Sequence, residues 1–559
     1  MTEASGPDDA DRRSPPGRPG VRLAAAIAVA AALLIPSGLA AGPYLAERPD
    51  AARSVVDHVG ADGRIPGAGG QPDRETGGPG RARPADPTRD EVAALVATQN
   101  TALRTRDEQL FLSAYAPDRP DLRAERVRLF GNLLKIPFSR AEYRLQDVRP
   151  EPPPDRPPGG GPGPGPGGPG PGGPGPGGGP GRGPGGGPGG GPGGGPGAPS
   201  RGPNGGAGHG PGGPGGGPGG GPGGGGPPPG GPRASSATIV FAHQITGVDV
   251  GAIAEMYHWT VTRAAPGAPA LITAVDGGPT DAARRNSTYP APWDAAELVL
   301  VDKPHVLLLA ARQHESKAAT WATRAETAAT RDLAAWQGPE RPPERFVVFL
   351  TPDHASFDAV RGGDSVTSNA IGVCLSLPAD PVQRAPDTPD FAGSRIYVDS
   401  TSADISDGAA DGTIAIFRHE MGHAMVAPFQ KRVVGAAPPL WVAEGFAGYL
   451  EWADRSLDRW YVPPARELVR SGGFSGRLPT DTEIYSTDSK TSATGYHFAM
   501  LAIRFIADKY GPAKAYCFVV AVYRDPRPEA VDAALTAATG LDRTTFEAKW
   551  AQYVKNKVG

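Results

Sequence analysis

From Glu151 to Pro232 the chain is built almost wholly of two residue types. This stretch holds 45 of the 82 Gly and 27 of the 66 Pro. Gly carries the greatest backbone freedom and Pro lacks an N–H donor, so neither sustains a helix or a central strand. The stretch has almost no charge and no large apolar side chain. It cannot bury surface to offset chain entropy, so the reading is a disordered tract. GGGP units and runs of consecutive Gly break the Gly-X-Y register that a collagen triple helix needs. One compact domain across all 559 residues is therefore excluded. Outside the tract, Gly is near its ordinary share and Pro somewhat above it. That length suits two domains.

The 56 basic and 59 acidic side chains leave a net charge of −3. No clustered basic face marks a nucleic-acid partner. The only cysteines are Cys374 and Cys517, too few for a Cys-based zinc site or a disulfide framework. They could pair in an oxidising compartment or stay as free thiols.

Residues 1–22 are polar and carry four Arg, and residues 23–41 form an apolar run near the length that spans a bilayer. Arginines before the run fit an N-in orientation. One reading is an uncleaved anchor, giving a single-pass membrane protein with an extracytoplasmic catalytic domain. The other is a cleaved signal peptide ending near Gly38-Leu39-Ala40, giving a secreted protein. Residues 46–86 read as a stalk.

From 87 the pattern changes. Val92, Leu95, Val96 and Leu110-Phe111-Leu112 predict one or two helices over 88–115, and Val127, Leu129, Phe130 and Leu133 another over 122–135. Strand signals follow at 142–148 and resume beyond the tract at 237–241, 255–261 and 270–275. A strand at 142–148 has no partner unless it pairs across the tract. The tract is therefore expected to interrupt one small α+β module, 87–277. Helices followed by an antiparallel sheet make this module similar to the nuclear transport factor 2-like fold, on element order alone.

A second domain is expected over 295–559. Strands are predicted at 298–301, 306–309, 345–350, 370–376 and 394–399, with an Ala-rich helix at 313–337 and mainly helices beyond 410. The fold class is α+β.

The chemistry centres on Arg418-His419-Glu420-Met421-Gly422-His423. On a helix, His419 and His423 at i and i+4 share one face and can bind one metal, with Glu420 placed to reach a water beside it. The bland alternative is an exposed His–Glu helix. A second segment, Leu440-Trp441-Val442-Ala443-Glu444-Gly445-Phe446-Ala447-Gly448-Tyr449-Leu450-Glu451, narrows the choice. It closely resembles the glutamate-ligand helix of the gluzincin metallopeptidases, best matching the peptidase-MA-like group. The resemblance covers about 300–559. It implies a Zn²⁺ site with His419, His423 and Glu444 as ligands and Glu420 as general base. Two imidazoles and one carboxylate suit zinc and leave a fourth position for water. The resemblance also implies an oxyanion donor on a later helix, where Ala493-Thr494-Gly495-Tyr496-His497 stands. Tyr496 is the first choice, His497 the second and Tyr485 a weaker one on a loop.

No GxMEN stretch occurs, so the free-amine anchoring of aminopeptidase-N-like enzymes is not implied. The expected activity is peptide-bond hydrolysis outside the cytoplasm, on a peptide or protein substrate. The membrane is a further partner if the leader stays. The rival expectation is a surface binding or scaffold protein with a metal-loaded but non-proteolytic domain. His243, His258, His305, His314 and His354 show no ligand spacing.

Overall fold

The computed structural model describes residues 85–151, 233–277, 290–360, 370–382, 390–406, 408, 410–431, 436–453 and 463–558. The leader, the apolar run, nearly all of the stalk and nearly all of the Gly/Pro tract lie outside these residues. Among the described residues no helix is long and apolar enough to cross a membrane.

The fold is α+β. The chain begins with α1 (Arg89–Thr105), α2 (Glu108–Ser113) and α3 (Pro120–Lys135). A capping box starts α1: Thr88 accepts from the Glu91 amide, and Glu91 accepts from the Thr88 amide in return. Val92, Phe111, Leu129, Phe130 and Leu133 point into the core, as their helical spacing predicts.

Four antiparallel strands follow in the order β1-β2-β3-β4: Phe138–Pro150, Arg233–Ile245, Ile253–Arg263 and Ala270–Asp276. β1 runs longer than the predicted 142–148 at both ends. β1 pairs with β2 from Phe138↔Ile245 to Pro150↔Ser235, which brings Glu151 and Arg233 to the same end of the pair. Ile253, Tyr257, Trp259 and Val261 alternate inward along β3.

A short helix α4 (Pro292–Ala295) leads to a second sheet. β5 (Leu298–Asp302) and β6 (Val306–Ala311) are antiparallel neighbours. Helix α5 (Glu315–Ala335) then crosses to β7 (Phe346–Thr351), parallel to β6. After α6 (His354–Val360) come β8 (Gly372–Pro378) and β9 (Phe391–Asp399). The order is β5-β6-β7-β9-β8, with β8 at an edge and antiparallel to β9.

Every residue of β6 and β7 is buried, which explains their unbroken apolar sequences: both faces of this sheet are covered. One face, with Leu308, Val348, Cys374 and Ile396, packs on α5 and the later helices. The other, with Leu307, Phe349, Val373 and Tyr397, shares a core with α1–α3 and the first sheet. The sequence reading divides the chain between 277 and 295. A single hydrophobic core crosses that boundary, and buried polar contacts cross it too. Arg395 on β9 holds Asp249 through two hydrogen bonds of 2.7 and 2.9 Å, both side chains buried. Asn132 on α3 accepts from the Leu298 amide and donates to the carbonyls of Trp293 and Ala296. Ile253 bridges to Ala379, just past the end of β8.

The rest is helical: α7 (Ala403–Ser406), α8 (Ala410–Val426), α9 (Leu440–Glu451), α10 (Pro463–Arg470), α11 (Asp481–Ile484), α12 (Ser489–Tyr510), α13 (Pro512–Arg524), α14 (Pro528–Thr539) and α15 (Arg543–Val558). α12 starts at Ser489 because Asp488 caps it, accepting from the Thr491 amide. Both cysteines are free thiols, Cys374 buried and Cys517 exposed.

Candidate metal centre

The site is assembled by α8, α9 and the start of α12. From Thr413 onward α8 is buried on all sides, so its polar residues need partners inside the protein. Arg418 finds one in Asp332 on α5, at 2.7 Å, with both side chains buried. That pair locks the turn just before His419. α9 meets α12 closely at Gly445, where a Cβ would stand 2.5 Å from the Ala499 carbonyl oxygen. No larger residue fits there without shifting a backbone.

His419, His423 and Glu444 converge, as the spacing and the resemblance led one to expect. Their ligating atoms all lie within 4.8 Å of one another. Glu444 Oε2 stands 3.2 Å from His419 Nε2 and 3.4 Å from His423 Nε2. A tetrahedral zinc site with bonds of about 2.0–2.1 Å separates neighbouring ligand atoms by about 3.3 Å. The spacing therefore fits the ion, and so does the donor chemistry of two imidazoles and a carboxylate. Neither ring nitrogen of His423 has a hydrogen-bond partner, although the residue is buried. A buried imidazole left unsatisfied in this way is what a metal would complete.

Glu420 is fully buried beside the trio, and neither carboxylate oxygen has a hydrogen-bond partner. Burial raises its carboxyl to about 8; His419 opposes this while Glu444 and Glu451 add to it. Gly372, the first residue of β8, lies against it, and a Cβ there would fall 2.5 Å from Oε1. For Glu444 burial also raises the carboxyl, but the two imidazoles outweigh it and hold it at about 2. Burial lowers His419; its hydrogen bonds to Glu444 and Glu451 overcome that and lift it to about 10. His423 is lowered, chiefly by burial.

The aromatic candidates separate. The Tyr496 ring lies 6.3 Å from the His419 ring, and its hydroxyl is pushed up by burial and by the charges of Glu444 and Glu420. Its neighbour His497 packs edge-on against Trp452, and burial lowers it to about 4. Tyr485, at the end of α11, donates to Glu444 Oε1 at 2.8 Å. Glu451 contacts His419 Nδ1 at 3.1 Å.

Sequence reasoning gave no role to Glu451, Gly372 or Asp332. Glu451 had a readable signal, since it follows Glu444 by seven residues and two helical turns return to one face. Gly372 and Asp332 come from distant elements and carried none. Among the described residues the remaining histidines have other partners: His305 pairs with Glu326, His354 with Asp399, His314 with Ser400 and His258 with Thr238, and His243 packs on Trp293. Searches against family models and against curated proteins found no match for this chain.

Proposed function

We propose that this protein is a zinc-dependent metallopeptidase of gluzincin type, acting on peptide bonds outside the cytoplasm. The observation that carries the reading is the buried convergence of His419, His423 and Glu444 beside a carboxylate, Glu420, that has no hydrogen-bond partner. His419, His423 and Glu444 would hold the ion. Bound zinc supplies Lewis acidity, acidifying a water and polarising the scissile carbonyl.

The chain's own groups do the rest. Glu420 accepts the proton of the attacking water and delivers it to the departing amine. It sits in a dry setting with no competing donor, so its lone pairs are available. Tyr496, its ring 6.3 Å from that of His419 and close enough to Glu444 and Glu420 to feel their charges, is the donor we assign to the developing oxyanion. His497 is turned to Trp452, which favours Tyr496 over it. The location rests on the apolar run at 23–41.

The test is metal analysis together with chelator-sensitive hydrolysis of a peptide library, run on the wild type and Glu420→Gln. About one zinc per chain in both, with activity in the wild type and a loss of about 10²–10⁴-fold in the variant, is expected. Bound zinc with no hydrolysis of any peptide would favour the non-proteolytic scaffold. A folded wild type that takes up no zinc would sink the reading.

A further inference from the structure

We infer that Tyr485 and Glu451 are positioning residues that orient two of the three metal ligands. The inference rests on the zinc reading above.

α9 lacks a side-chain cap of its own, since Pro439 stands at its N-cap. Its first free amide, that of Leu440, instead donates to Asp481 Oδ1 on α11, at 2.9 Å. Four residues further along each segment, Tyr485 donates to Glu444 Oε1. Four residues is about one helical turn, so α11 and the residue that ends it clip α9 at two points one turn apart. The clip is itself braced. Thr480 and Glu483 cap α11 reciprocally, and Ser492 of α12 donates to the Ile484 carbonyl at 2.7 Å. Tyr485 thus reaches Glu444 from a fixed base. Its hydroxyl occupies Oε1, leaving Oε2 as the oxygen that lies between the two imidazoles. The effect is to present Glu444 to a metal through one chosen oxygen.

Glu451 does the same for His419 from the end of α9. Its Oε2 contacts Nδ1, the nitrogen turned away from Glu444. A proton kept on Nδ1 leaves Nε2 with the lone pair that ligation needs. Both contacts come from residues outside the ligand set, and each acts on a different ligand.

The experiment uses the full chain, with zinc affinity measured by chelator competition and the Co²⁺-substituted protein by visible absorption. Tyr485→Phe keeps the ring and removes only the hydroxyl. Glu451→Ala removes the acceptor, and Glu451→Gln restores a neutral one. Tyr485→Phe and Glu451→Ala should each weaken zinc about 10- to 100-fold. Both should shift the Co²⁺ bands, and Glu451→Gln should recover part of the loss. Should Tyr485→Phe not fold, the part-buried Glu451 pair of variants still decides its half. Metal-free melting of each variant separates a lost ligand orientation from a lost fold. Wild-type affinity and an unchanged Co²⁺ spectrum in a folded variant would overturn the role of that residue while leaving the zinc reading intact. A wild type without zinc affinity would overturn both.

Discussion

Buried acids lie on both sides of the second sheet, and the two groups behave differently. On one side Glu255 and Asp294 sit in the core shared with the first sheet. Asp294 accepts from Tyr257 and from the Ala291 amide, Glu255 accepts from the Trp293 indole, and Arg126 lies close enough to Asp294 to feel its charge. On the other side Glu444 stands between two imidazoles, and Glu420 has no hydrogen-bond partner. Burial raises Glu255 and Asp294, as it raises Glu420. A raised carboxyl therefore does not mark a site by itself. The distinction is that the second group converges on one point with nitrogen donors, and the first is enclosed by aromatic rings and a guanidinium.

The largest expected effect tests whether the two sides form one structure. Asp249→Ala strands the buried Arg395 guanidinium and should cost about 3–5 kcal/mol, read from denaturant midpoints. A cost under about 1 kcal/mol would mean that the module is a loosely attached spacer.

On the side of the candidate metal centre, Gly372→Ala places a Cβ against Glu420 Oε1. The carboxylate must move, and for the base we propose a misplacement of about 1 Å can cost about 10²-fold. The expectation is a fall of that size in kcat with zinc content unchanged. A variant with full kcat would show that Glu420 has slack, and that the tight contact is incidental.

Glu255→Gln makes on the first side the substitution that Glu420→Gln makes on the second. The raised Glu255 carboxyl weakens the fold as pH rises from the ordinary carboxylate range through its elevated folded value, because a charge must then form in the core. Gln removes that cost. The variant should be more stable than wild type at pH 8, with the gain shrinking towards pH 5. Melting curves at the two pH values check this, and hydrolysis should be unaffected. A loss of hydrolysis in Glu255→Gln would erase the contrast between the two groups.

The smallest effect is expected from excising residues 155–230. β1 and β2 already meet where the tract leaves and rejoins the sheet, with the Glu151 amide donating to the Ala234 carbonyl. A short connection can close that gap. Zinc stoichiometry should be unchanged by metal analysis.

Much of the site was legible because its signals are local. His419 and His423 are four residues apart, and Glu444 stands in a segment distinctive enough to resemble a known ligand helix. Strand identity was equally local: the apolar runs at 306–309 and 345–350 sit inside β6 and β7 or overrun them by one residue. What local signals could not supply was contact at a distance. Tyr485 was read as an oxyanion candidate, and only the packing of α11 on α9 shows its hydroxyl on Glu444. Asp249 and Arg395 are 146 positions apart, so no periodicity links them.

The pairing of β1 with β2 has a consequence for how the chain reaches its folded state. When β1 leaves the ribosome, its partner lies beyond the whole of 152–232. Contacts between residues so far apart in sequence form late and slow folding. Until β2 is synthesised, α1–α3 and β1 wait with an open sheet edge, a ready template for pairing with another chain. The tract thus sets a delay in assembly, and a shorter connection should speed the folding of the first sheet without altering what it becomes.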